Sequence, residues 1–99
     1  MPTFVLMTKL AAGSMRDPQG VRATGREWLH RVKECCPEVR FLSHYAILGP
    51  YDFMDLYEAP DVNTAQKVSL ISRAEGAVTA ESWQALPYDH FLKLLESVQ

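Results

Sequence analysis

The chain has 99 residues, 47% of them hydrophobic and 22% charged, which excludes a disordered or fibrous polypeptide and fits one small domain, residues 1–99. Ten Lys and Arg against twelve Asp and Glu leave a formal charge of −2, so no strong field points to nucleic acid or an anionic membrane as a partner. A domain of this size buries a modest share of its surface, and four Phe, four Tyr and two Trp favour self-association.

Residues 1–10 lack the basic segment and long apolar stretch of a signal peptide, and no apolar run approaches the roughly 20 residues that span a bilayer. The expected location is the cytoplasm. Residues 3–9 (TFVLMTK) are rich in strand formers and too few for a helix. Gly13, Asp17, Pro18 and Gly20 then mark a turn and the start of a helix over residues 19–36. Val21, Gly25, Trp28, Leu29, Val32 and Cys36 recur at helical spacing, with Arg22, Arg26, Arg31 and Lys33 largely off that stripe. Glu27 and Glu34 interleave with these cations, so the basic side reads as a solvated surface. Pro37 ends the helix. The adjacent Cys35 and Cys36 read as two reduced thiols near its end, or alternatively as a redox pair; alone they do not make a zinc set.

Residues 39–48 (VRFLSHYAIL) and 53–58 (FMDLYE) read as two strands joined by Gly49-Pro50-Tyr51-Asp52. Pro presets φ, Gly permits unusual backbone angles and Asp accepts local amide bonds, so the pair forms an antiparallel hairpin. Ala59-Pro60 breaks the second of these strands. Asp61 or Asn63 caps a helix running to about residue 73, and Gly76 closes it. Residues 78–86 form a fourth strand that stops at Pro87. Residues 88–98 form a terminal helix with Phe91, Leu94, Leu95 and Val98 on its apolar stripe.

The order β-α-β-β-α-β plus a C-terminal helix predicts an α+β, ferredoxin-like domain with a four-stranded antiparallel sheet. Both internal helices cover one sheet face. The other face needs a partner, because the strands carry apolar residues on both sides. A second copy placed face to face would form a dimeric α+β barrel.

Met1-Pro2-Thr3-Phe4-Val5-Leu6, Leu48-Gly49-Pro50-Tyr51-Asp52-Phe53, Glu58-Ala59-Pro60-Asp61 and Ala85-Leu86-Pro87-Tyr88 resemble, in that order, segments of the GYD domain family. The resemblance spans nearly the whole chain and implies a stand-alone dimeric α+β barrel with Gly49-Pro50-Tyr51-Asp52 as its signature turn. More distantly the chain is similar to the effector-binding domain of the Lrp/AsnC regulators, which share a Gly-x-Tyr-Asp turn and take amino-acid ligands; it has no room for their DNA-binding helices. It departs from the family pattern at Asp55 and Tyr57 in a strand that is usually apolar, at His44, and at Trp83 in the last strand.

If Leu48 pairs with Phe53, Ala46 faces Asp55 and His44 faces Tyr57, so that His44, Asp55 and Tyr57 cluster on one face. Phe41, Ser43, Tyr45, Ile47, Met54 and Leu56 then share the other face, which reads as the helix-packed core. A carboxylate beside an imidazole makes a plausible general base, and Tyr57 can donate to a developing oxyanion. Glu81 and Trp83 share a face of the last strand and add a second acid and an aromatic wall. The same groups also read as a structural pair or as ligand-orienting groups. Tyr51 and Asp52 either touch a ligand at the sheet edge or lock the hairpin. No residue set holds a metal or cofactor, and no Gly-rich phosphate loop or nucleophile elbow is present.

Three functions fit these residues. The first is a small-molecule-binding domain with an apolar pocket, between sheet faces or between sheet and helices, rimmed by His44, Asp55, Tyr57 and Trp83. The second is a cofactor-free isomerase-, cyclase- or monooxygenase-like enzyme in which His44 and Asp55 abstract a proton next to a carbonyl. The third is a structural oligomerisation module. The expected partners are a second copy of the chain and an unidentified small molecule.

Overall fold

Apolar side chains on both sides of β1 (Thr3–Leu10) suit it to the middle of a sheet, where both faces can be covered. In a computed structural model describing residues 1–99, β1 lies between β3 (Phe53–Glu58) and β4 (Ala77–Ala85), and β2 (Arg40–Ala46) flanks β3. All neighbours are antiparallel, in the order β2-β3-β1-β4. The helices are α1 (Pro18–Cys35), α2 (Val62–Ala74) and α3 (Tyr88–Ser97). No helix is long and apolar enough to cross a membrane.

Local chemistry sets the ends. Asp17 caps α1 by accepting from the Gln19 amide at 3.1 Å, with Pro18 as the first helical residue. Asp61 caps α2 by accepting from the Thr64 amide at 2.7 Å, and Gly76 leaves that helix at φ 107°. Cys35 is exposed, Cys36 is buried, and both thiols are free. Burial pushes the Cys36 thiol upward, which keeps it protonated.

The hairpin differs from expectation by a small slip. The Ile47 amide donates to the Asp52 carbonyl at 2.9 Å, so β2 ends at Ala46 and Ala46 pairs with Phe53. His44 therefore faces Asp55 directly, where the sequence argument placed Ala46. Because partners move by two residues, His44, Asp55 and Tyr57 keep a common side. Gly49 does not adopt positive φ, so its conformational freedom is not what makes this turn. Asp52 holds it instead: its amide donates to the Thr8 carbonyl at 2.8 Å and its carboxylate accepts from the Leu10 amide at 2.8 Å.

Face assignment is the larger correction. Phe4, Leu6, Tyr57 and Ala80 lie under the helices and pack with Val32, Cys36, Ala65, Val68 and Ile71. Strand alternation and the register put His44 and Asp55 on this covered side and Tyr45, Met54 and Leu56 on the open one. An irregularity between Phe41 and Ser43 turns Phe41 back to the covered side, opposite Tyr57. The reason is volume. Ala65, Ser69 and Ser72 of α2 are small and buried, leaving room for the Tyr57 ring against Phe4 and Phe41, each with centroids 5.7 Å away.

The open face carries Val5, Met7, Met54, Leu56, Tyr45, Glu81 and Trp83. α3 buries none of its residues, and Phe91, Leu94, Leu95 and Val98 stand exposed. The radius of gyration of 14.9 Å exceeds the roughly 13 Å typical of a compact domain of this length. Replacing Asp52 by Ala removes a carboxylate acceptor from the Leu10 amide and should lower the unfolding free energy by about 1–2 kcal/mol. Urea unfolding with an unchanged m value would show this, whereas wild-type stability in Asp52→Ala would show that the turn is held without that bond.

Candidate ligand site

α1 approaches the sheet at one end only. Val32 is buried and Trp28 packs against the core, but Gly20, Val21, Thr24 and Gly25 face a gap over β1 and β3. The gap is an open cleft of about 810 Å³, within the range that holds small-molecule ligands. Helical spacing thus identified the correct stripe, while its small members mark where α1 and the sheet do not meet.

His44 and Asp55 both line this cleft. Their Nδ1 and Oδ1 atoms lie 2.5 Å apart. The partners differ in environment: the Asp55 side chain is 5% exposed and that of His44 is 60% exposed. Burial pushes the Asp55 carboxyl above its ordinary value, against the charge of and hydrogen bond to His44, which favour the carboxylate. The His44 ring stacks on Phe53 with centroids 5.3 Å apart and planes 23° apart. A solvent-reachable imidazole backed by a buried carboxyl can exchange a proton with a bound molecule or orient it.

Tyr57 is on the same face but outside the cleft. It is fully buried, and its hydroxyl donates to Ser82 Oγ at 2.7 Å, with the Ala65 carbonyl at 3.3 Å. Burial pushes the phenol up to about 12. It supports the floor of the site and does not reach a molecule in the cleft. Ser69 Oγ lies 2.6 Å from Ser82 Oγ and extends this hydroxyl cluster to α2.

Tyr51, Glu81 and Trp83 assemble on the other side of the sheet, which corrects the pocket rim that joined Trp83 to His44 and Asp55. The Tyr51 hydroxyl donates to Glu81 Oε2 and the Trp83 indole to Glu81 Oε1, both at 3.0 Å. Tyr51 meets Trp83 edge to face with centroids 6.0 Å apart. Donation to Glu81 raises the Tyr51 hydroxyl above its ordinary value. Two separate constellations therefore replace the single expected pocket. The aromatic cleft walls Trp28, Phe41 and Phe53 escaped the sequence argument; Trp28 beside Gly25 on one apolar stripe was the available signal.

The raised Asp55 value has a definite sign in stability. The folded chain holds this proton more tightly than the unfolded chain does. Its stabilisation is complete below the ordinary value of 3.8 and is lost as pH rises through the raised one. Asp61 acts oppositely, since the Thr64 amide lowers it and its contribution is lost on acidification. The unfolding free energy of wild type minus that of Asp55→Asn should therefore fall as pH is raised from about 3.8. Urea titrations across the mildly acid range read this difference, and a rise would contradict the assignment.

Comparison with known proteins supports the same architecture. The GYD domain family matches residues 4–95. A Thermus thermophilus protein named glutamine synthetase and cystathionine beta-lyase binding protein is 32% identical over 91 residues, covering 88% of this chain and 90% of that protein. Among solved structures, TTHA0845 of Thermus thermophilus superposes with a TM-score of 0.59 at 21% identity, covering 88% of this chain and 95% of its own. FFRP-DM1 gives 0.54 at 19% identity, covering 87% of this chain and 100% of its own. These two structures share the fold. The extent of the family match and the relative's identity go further: this chain belongs to the GYD domain family.

Proposed function

We propose that this protein is a homodimeric binding module whose helix-side cleft takes a small molecule and whose dimer docks on a metabolic enzyme. The observation that carries the small-molecule reading is the cleft of about 810 Å³ with a buried carboxyl and an accessible imidazole in its wall. His44 and Asp55 orient the ligand, and Tyr57 positions the floor beneath them. The enzyme partner is argued from the Thermus relative, whose name records binding to glutamine synthetase and cystathionine β-lyase.

Self-association rests on the open face and α3. Trp83 remains 47% exposed, and the apolar stripe of α3 meets no sheet of its own chain. Pairing two open faces completes the missing layer and covers Val5, Met54 and Leu56 together. Tyr51, Glu81 and Trp83 then belong to that interface, with Asp52 as the latch of the turn beside it. A cytoplasmic location accords with a partner among metabolic enzymes.

A second reading is favoured by the 2.5 Å contact between His44 and Asp55, which suits abstraction of a proton next to a carbonyl without a cofactor. Tyr57, with its proton given to Ser82, does not supply the oxyanion donor for that step. Solvent-deuterium incorporation into carbonyl probes, lost in His44→Ala, would favour the enzyme over the binder.

Native mass spectrometry of the protein, alone and with purified glutamine synthetase or cystathionine β-lyase from the same organism, tests the proposal. A dimer that forms a complex with one of these enzymes is expected, and Leu56→Lys should leave monomers. A wild-type monomer overturns the dimer. A dimer that binds neither enzyme overturns the docking role, leaving an oligomerisation module if the cleft also takes no ligand.

A further inference from the structure

We propose that α3 is an arm exchanged between the two copies of the dimer, its apolar stripe seated on the open sheet face of the partner. This rests on the dimer reading above and adds the element that joins the copies. α3 is ten residues long, its N-cap Pro87 supplies no side-chain cap, and no cation stands in its last turn. A helix this short is marginal in water unless a surface covers its apolar side. Its own chain supplies little cover: no residue of α3 is buried, and of its apolar side chains only Leu92 is partly covered.

The connection accounts for this. Only Leu86 and Pro87 separate β4 from α3, and Pro87 is extended at φ −54° and ψ 141°. α3 thus stands off the sheet it follows, and the chain is elongated, 51 Å along its longest axis against 30 and 18 Å across it. Tyr88 stacks on Phe91 with centroids 6.1 Å apart. Phe91, Leu94, Leu95 and Val98 continue the stripe, each between 45% and 76% exposed.

Area selects the occupant. At these exposures α3 and Leu86 offer roughly 500–600 Å² of apolar surface, about the largest patch an ordinary monomer shows. On the open face Val5, Met54 and Leu56 are already half-buried, and Tyr45 and Trp83 carry most of what remains. That face offers roughly 400 Å², against the roughly 800 Å² per partner of a standard stable interface. Two open faces alone fall short of this, whereas an open face and an α3 from each copy reach it. Exchange is also self-complementary. Each copy gives one stripe and receives one, so a two-fold axis closes the assembly. The polar side of α3, with Asp89, Lys93 and Glu96, lacks the basic character that would direct such a helix to an anionic membrane.

Isotope-filtered NMR of the full chain reads the exchange. Labelled and unlabelled protein, unfolded together and refolded, give mixed dimers in which contacts between copies are seen separately. NOEs are expected from the Leu94, Leu95 and Val98 methyls to Leu56 of the partner subunit or to Trp83 of the partner subunit. In sedimentation equilibrium, Leu95→Lys should raise the dimer dissociation constant at least about 30-fold, since each dimer carries the change twice. Lys93→Glu, on the polar side, should leave it within about two-fold. A wild-type dimer with no NOE between α3 and the other copy, or a dimer as tight in Leu95→Lys, would overturn the exchange and leave the dimer standing. A wild-type monomer would overturn the dimer reading and the exchange with it. Should Leu95→Lys fold poorly, the filtered spectrum of the wild type decides the matter alone.

Discussion

Strand alternation in a sheet covered on only one side is the constraint from which the rest of this structure follows. Phe4, Leu6 and Tyr57 point into the layer beneath the helices, and Val5, Met54 and Leu56 point away from it. With β1 and β3 at the centre, neither set can be polar without weakening a central strand. One set finds α1 and α2. The other meets no helical layer of its own chain, and the apolar stripe of α3 stands exposed as well.

The covered side is not uniformly filled. Its aromatic row from Phe4 through Tyr57 and Phe41 to Trp28 closes one end, and the serines around Tyr57 satisfy the hydroxyl that so large a buried ring brings with it. Beyond that row α1 presents Gly20, Thr24 and Gly25 where bulky side chains would have met the sheet. Asp55 stands at the junction of the packed and open regions. Burial makes its charge costly, while His44 reaches it from the solvent side.

The architecture was legible in the sequence because its determinants are local: helical spacing from Val21 to Cys36, Asp61 as a cap, Pro37 and Pro87 as stops, and strand formers between them. The common side of His44, Asp55 and Tyr57 was legible too, since a two-residue slip preserves side-chain direction. Which side that was could not be read locally. It depends on how the small residues of α2 fold back over the strand just before them, and on the irregularity at Leu42 that returns Phe41 to the core. Trp83 was drawn into the wrong constellation for the same reason. The register of β4 against β1 is a non-local fact, and it places Trp83 opposite Val5. The cleft was less legible still, because it comes from the standoff of a helix and not from any motif.

In the function proposed above, the molecule divides into a self-associating face and a ligand-taking layer, with the sheet between them. A crystal structure of the dimer tests that division most directly. The predicted result is two copies joined through Val5, Met54, Leu56 and Trp83, with the cleft beside His44 and Asp55 open on the outer side of each sheet. Copies joined across the mouth of the cleft, or α1 seated against β1 and β3 with no space between, would contradict it.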